Sequence, residues 1–166
     1  GLPDSFDRLA INISARQFSQ DDFALKVEAF TKEANISPND LELEITESML
    51  LHHLDQVVEK MRLLNRMGFY IALDDFGTGY SSLTHLRHLA ANSVKIDQSF
   101  VRDMLEDDSD YNIVDGVISL AKAFNRQVIA EGVETVEHGL MLLSMGCDLA
   151  QGYQIARPMP AEHILN

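Results

Sequence analysis

Six times along the chain an apolar, strand-like run ends on a polar or charged residue, and a helix-like stretch follows. The run ends are Asn12 in RLAINIS, Glu44 in LELEITE, and Asp74 with Asp75 in IALDDFG. Lys95 and Asp97 in SVKID, Glu131 in QVIAEGVE and Gln151 in CDLAQGY complete the set. Repeated β-then-α implies a parallel sheet with right-handed crossovers. Parallel βα units place all strand C-termini on one face, where βα barrels keep their chemistry. The expected fold class is therefore α/β, a TIM-like (β/α) barrel. It is incomplete, since a closed barrel needs eight βα units and about 250 residues, and six units are present here.

The helix-like stretches have apolar stripes. Phe23, Val27, Phe30 and Ala34 share one face, as do Leu54, Val57, Val58, Met61 and Leu64 before a stop at Gly68. Ile113, Val114, Val117, Ile118, Ala121 and Phe124 make a third stripe, and Thr135 is placed to cap a fourth helix running to Gly146. No linker or second domain interrupts residues 1–166, and the acidic LEDDSD at 105–110 is expected to be a loop.

With 26 acidic against 13 basic residues, the formal charge of −13 argues against a nucleic-acid polymer or an anionic membrane as partner. An anionic small molecule could still bind if cations invert the local field. The single cysteine, Cys147, cannot build a disulfide framework and suits a reducing, cytoplasmic setting. No apolar run approaches the roughly 20 residues of a membrane span. The chain starts at Gly1 rather than a methionine, so it is expected to be a fragment of a longer protein.

The convergent strand ends would gather carboxylates around one lysine, which reads first as a divalent-metal site. Asp74 and Asp75 can both reach a metal pair only if the backbone breaks there. Gly77 and Gly79 supply that freedom, and Ser81 or Ser82 can begin the next helix. A carboxylate shared between two cations is the usual core of a two-metal phosphodiester site. Read alone, DDFG fits a solvated acidic turn better. Glu42 and Glu44 share a strand face; they point inward to a cation or partner, or outward from a solvated edge. Asn12 offers a carbonyl oxygen to a hard cation or ties the strand end to its loop. Lys95, on the same face as Asp97, either orients a water and neutralises phosphate charge or forms a structural ion pair. Glu131 and Glu134 flank Gly132, and Gln151 precedes Gly152. The histidines (His52, His53, His85, His88 and His138 among them) form no HExxH pattern and are read as structural.

INISARQF, LELEITES, IALDDFGTGYSSL, SVKIDQSFV, VIAEGVET and CDLAQGYQIARPMP resemble, in order and over essentially the whole chain, the successive signatures of bacterial EAL domains. The resemblance implies a modified βα barrel that hydrolyses cyclic di-GMP to linear pGpG with two Mg²⁺ or Mn²⁺ ions. It implies that Asn12, Glu44 and Asp74 hold one metal, that Asp74 bridges to the second, and that Asp75 and Glu131 complete it. Lys95 would position the attacking water, with Asp97, Glu131 and Gln151 serving the water and phosphate network. Glu47 would anchor the loop of 76–80 that includes Thr78, and Glu134 would brace the neighbouring loop. Gln151, Arg157 and Pro158 would contact substrate.

The EAL tripeptide, its strand, the first strand and the helices before Asn12 are absent. That predicts impaired hydrolysis by this chain, weakened metal affinity, open sheet edges and a homodimer. By the same resemblance, the parent protein is expected to carry sensor or GGDEF domains. Two other readings stand beside this one: a non-catalytic cyclic di-GMP receptor, and a Mg²⁺-dependent βα-barrel lyase with Lys95 as the base.

Overall fold

The computed structural model describes residues 7–51, 54–78 and 83–160 together with His163, with backbone only for 83–85. Six strands form one parallel sheet in sequential order: β1 (Leu9–Asn12), β2 (Leu41–Thr46), β3 (Tyr70–Phe76), β4 (Ser93–Ile96), β5 (Gln127–Ala130) and β6 (Leu149–Ala150). Among the described residues, seven α-helices and two short 3-10 helices (Pro38–Asp40 and Glu47–Leu51) occupy the connections, the α-helices being α1 (Ala15–Phe18), α2 (Phe23–Ala34), α3 (Leu54–Arg66), α4 (Leu83–His88), α5 (Gln98–Asp103), α6 (Asp108–Ala123) and α7 (Val136–Ser144). The sheet curls into a half-barrel, and its two edges among the described residues are β1 and β6. This is the incomplete barrel expected from the six run ends.

The core lies between the convex side of the sheet and the helices. Leu43, Ile45, Ile71, Leu73, Val94 and Ile96 point outward to meet Met61, Leu64, Val114, Ile118 and Ala121. On α3 and α6 the buried residues are those of the expected stripes. On α2 Phe23 is buried and Val27 packs against the core as expected, but Ala24 and Thr31 complete the inner side and Phe30 is 66% exposed. At 3.6 residues per turn Ala24, Val27 and Thr31 share one face, and Phe30 falls off its flank.

The acidic segment at 105–110 is not simply a loop. Asp107 caps α6, its carboxylate accepting from the Ser109 N–H at 2.7 Å. Asp108 and Asp110 lie in that helix's first turn, where negative charge is favoured by the helix dipole. Thr135 caps α7 as expected, accepting from the His138 N–H at 3.2 Å. His138 is buried, with Nε2 3.2 Å from the Arg102 carbonyl oxygen, and His88 is exposed; both fit structural roles. His52, His53, Gly79, Ser81 and Ser82 lie outside the described residues.

Candidate metal centre

Parallel pairing sets the site. Asn12 is the partner of Glu44, Glu44 of Ala72, and Lys95 of Ile129. The C-terminal ends of β1 to β6 therefore rise together on the concave face. Lys95 lies at the centre: its Nζ is 2.7 Å from Glu44 Oε1, 2.7 Å from Glu131 Oε1 and 3.5 Å from Asp74 Oδ1. Its side chain is 4% exposed, against 8% for Glu44 and 14% each for Asp74 and Glu131. Glu42 and Glu44 thus point inward on a strand flanked on both sides, and a solvated edge is excluded for them.

Burial by itself disfavours the Lys95 ammonium. The hydrogen bonds and charges of Glu131 and Glu44 outweigh it, and its pKa lies above the ordinary lysine range. A lysine held this way stays protonated and is a poor general base. Bonded to Glu44 and Glu131, the Lys95 ammonium is not placed as the free base that the lyase reading requires, in which it takes a proton from carbon.

The break expected at Asp74–Asp75 is present, and its form is specific. Between Leu73 and Phe76 the pairing with β4 slips, because two residues of β3 stand opposite one of β4. Asp75 itself is left-handed at φ 55°, followed by Gly77 at φ 105°. This β-bulge turns both carboxylates to one side, and ligand oxygens of Asp74, Asp75 and Glu131 lie within 4.8 Å of one another. Burial, then the charges of Asp74 and Asp97, push the Asp75 carboxyl above its usual range. Adjacent carboxylates this close favour a cation between them or a shared proton.

Around the cluster, Gln151 Nε2 donates to Glu131 Oε1 at 3.2 Å. Gln151 is brought there by Gly152, where an added Cβ would lie 2.3 Å from the Val133 carbonyl oxygen. Glu47 is buried, and its Oε2 accepts from the Gly77 N–H at 3.1 Å. Thr78 Oγ1 donates to the Asp75 carbonyl at 2.8 Å. Asp97 caps α5, accepting from the Ser99 N–H at 2.8 Å and from the Ser99 hydroxyl. Part of its carboxylate is thus engaged in capping.

Other expected site residues are not tied in. Asn12 is aligned with Glu44 but exposed. Glu134 is exposed and makes no hydrogen bond or ion pair among the described residues. Arg157, with its guanidinium 4.9 Å from the Tyr153 ring, and Pro158 line an open concavity of about 780 Å³ that also includes Gln151.

One buried partner was missed by reading run ends alone. Ser93, two positions before Lys95, donates to Glu42 Oε2 at 3.3 Å. The period of two that aligned Glu42 with Glu44 would have found it.

Fold and site together define an incomplete TIM-like barrel with a carboxylate-rich centre at the C-terminal ends of its strands. A family described as the EAL domain matches residues 3–158. The chain belongs to the EAL domain family.

The bifunctional diguanylate cyclase/cyclic di-GMP phosphodiesterase MucR of Pseudomonas aeruginosa is 38% identical over 95% of this chain and 23% of its own length. The cyclic di-GMP phosphodiesterase NbdA of the same organism is 36% identical over 92% of this chain and 20% of its own. A solved c-di-GMP complex of the PaMucR phosphodiesterase superposes with a TM-score of 0.91 at 38% identity, covering 95% of this chain and 64% of that one. A calcium and cyclic di-GMP complex of BlrP1 from Klebsiella pneumoniae gives a TM-score of 0.83 at 32% identity, over 91% of this chain and 39% of that one. The chain thus spans less than a quarter of these two curated relatives. Among the described residues, no helix is long and apolar enough to cross a membrane.

Proposed function

We propose that residues 1–166 are the C-terminal portion of an EAL phosphodiesterase domain that hydrolyses cyclic di-GMP to linear pGpG. The carrying observation is the bulge at Asp75, which gathers Asp74, Asp75 and Glu131 into one ligand set beside Lys95. A turn of solvated aspartates has no need of it. MucR and NbdA bear phosphodiesterase names, and the PaMucR and BlrP1 structures hold cyclic di-GMP, which supports the choice of substrate.

The donor set fits two hard divalent cations. It offers oxygen ligands only, and Asp74 is taken as the carboxylate that both ions share. Asn12, Glu44 and Asp74 would hold one ion, and Asp74, Asp75 and Glu131 the other, as Mg²⁺ or Mn²⁺. When bound, the ions neutralise phosphate charge and lower the pKa of water. The chain's own residues orient the reaction. The Lys95 ammonium donates to the attacking water and to developing negative charge. Gln151 holds Glu131, and Glu47 with Thr78 holds the loop after Asp75. Asp97 lies beside Asp75 as a further acceptor. Water adds to one phosphorus, the P–O3′ bond of that phosphorus breaks, a proton from the water passes to the freed 3′ oxygen, and pGpG leaves with Arg157 and Pro158 lining its guanine side. Glu134 is assigned to the loop after Gly132.

The same reading takes the protein to be cytoplasmic, in keeping with the free, buried Cys147. Sensor or GGDEF domains are expected elsewhere in the parent, and association with a second copy is expected along an open edge.

The test is incubation of the protein with cyclic di-GMP and Mg²⁺, with products separated by ion exchange. Slow, metal-dependent pGpG formation is expected, the missing upstream ligand lowering the rate. Binding without turnover would make the protein a receptor, and absence of binding would remove the substrate assignment.

A further inference from the structure

Two ties cross the concave face from β2 to β4, Glu44 to Lys95 at 2.7 Å and Ser93 to Glu42 at 3.3 Å. Both skip β3, which lies between those strands. Neighbouring strands are about 4.8 Å apart, so β2 and β4 stand roughly 10 Å apart. Their side chains must therefore meet above β3. The inward position there is Ala72, in register with Glu44 on one side and Ser93 on the other, and fully buried. Its inward neighbours along the strand are the larger Tyr70 and Asp74. Alanine is a poor strand former, and buried parallel strands favour valine, isoleucine and leucine, as Ile71 and Leu73 on the other face of β3 illustrate.

We infer that Ala72 is a positioning residue: its methyl leaves the gap through which Lys95 reaches Glu44, and so fixes where the ammonium stands in the carboxylate cluster. A β-branched side chain at position 72 occupies that gap and separates the pair. The consequence for metal binding rests on the metal-centre reading above; the steric claim does not.

The test follows the Lys95 ammonium directly in protein labelled with ¹⁵N-lysine. A buried, ion-paired ammonium exchanges slowly enough to give its own proton–nitrogen signal, assigned by its absence from Lys95→Met. In Ala72→Val this signal is expected to vanish or move, and the Mn²⁺ dissociation constant to weaken roughly tenfold, as for other groups that orient metal ligands. Ala121→Val overpacks a fully buried site on α6 and should lower the melting temperature while leaving the Lys95 signal in place. A folded Ala72→Val with an unchanged Lys95 signal overturns the inference. If circular dichroism shows that the valine variant does not fold, Ala72→Cys, whose single γ sulfur enters the same gap with less bulk, must displace the same signal, and an unmoved signal there overturns it equally. Wild-type protein that binds no Mn²⁺ would remove the metal reading, and the ammonium signal would still decide the role of Ala72.

Discussion

Asn12 and Glu44 are partners in register at the ends of neighbouring strands, yet their surroundings differ sharply. Glu44 is on β2, flanked by β1 and β3, buried and bonded to Lys95. Asn12 ends β1, which has one neighbouring strand among the described residues and whose four residues are all exposed. The comparison separates two ways of presenting a candidate metal ligand. The central strands hold theirs in place through cross-barrel ties. The edge strand only aligns its amide, and nothing among the described residues fixes the side chain. Pre-organised ligands govern affinity and geometry, and a loosely held one contributes chiefly once an ion is there.

This contrast can be broken at several points. The largest effect is expected at Asp74, placed to touch both ions. Asp74→Asn should lower cyclic di-GMP turnover by more than about 100-fold, above the range for groups that only orient ligands, and near-normal turnover at saturating Mg²⁺ would end the bridging assignment. Next comes Glu44→Gln, which takes the charge from one of Lys95's two close partners. It should lower stability by about 1.5–3 kcal/mol in urea denaturation, the range for hydrogen bonds to charged groups. Glu47→Gln weakens the hold on Gly77 and should reduce turnover about tenfold while leaving Mn²⁺ affinity nearly intact; an equal loss of both would make Glu47 part of the metal centre. The smallest effect is expected at Asn12. Asn12→Ala should change stability by no more than about 0.5 kcal/mol, as an exposed substitution, and a loss as large as that of Glu44→Gln would erase the contrast.

Much of this was legible in the sequence, because a strand run ending on a charged residue carries both the element and its direction. Six run ends became six strand ends, and Glu44, Asp74, Lys95 and Glu131 met as their placement required. The break expected at Asp74–Asp75 is there, but its freedom was credited to Gly77 and Gly79 alone, whereas Asp75, a residue type that tolerates the left-handed region, itself takes a positive φ. A bulge is set by pairing with the neighbouring strand, which no local pattern displays. The face of α2 was misread for a similar reason: Phe30 and Thr31 are adjacent, and tertiary packing rather than hydrophobicity chose between them. Tyr70 and Arg8, whose guanidinium lies 3.3 Å over the tyrosine ring, drew no notice because their partnership spans distant segments.

The central claim is that the carboxylates around Lys95 act on cyclic di-GMP through bound divalent cations. The most direct measurement is pGpG formation before chelation, in excess EDTA, and after Mg²⁺ or Mn²⁺ is restored. The account predicts turnover in the first state, none in the second and recovery in the third. Undiminished turnover in excess chelator would contradict it.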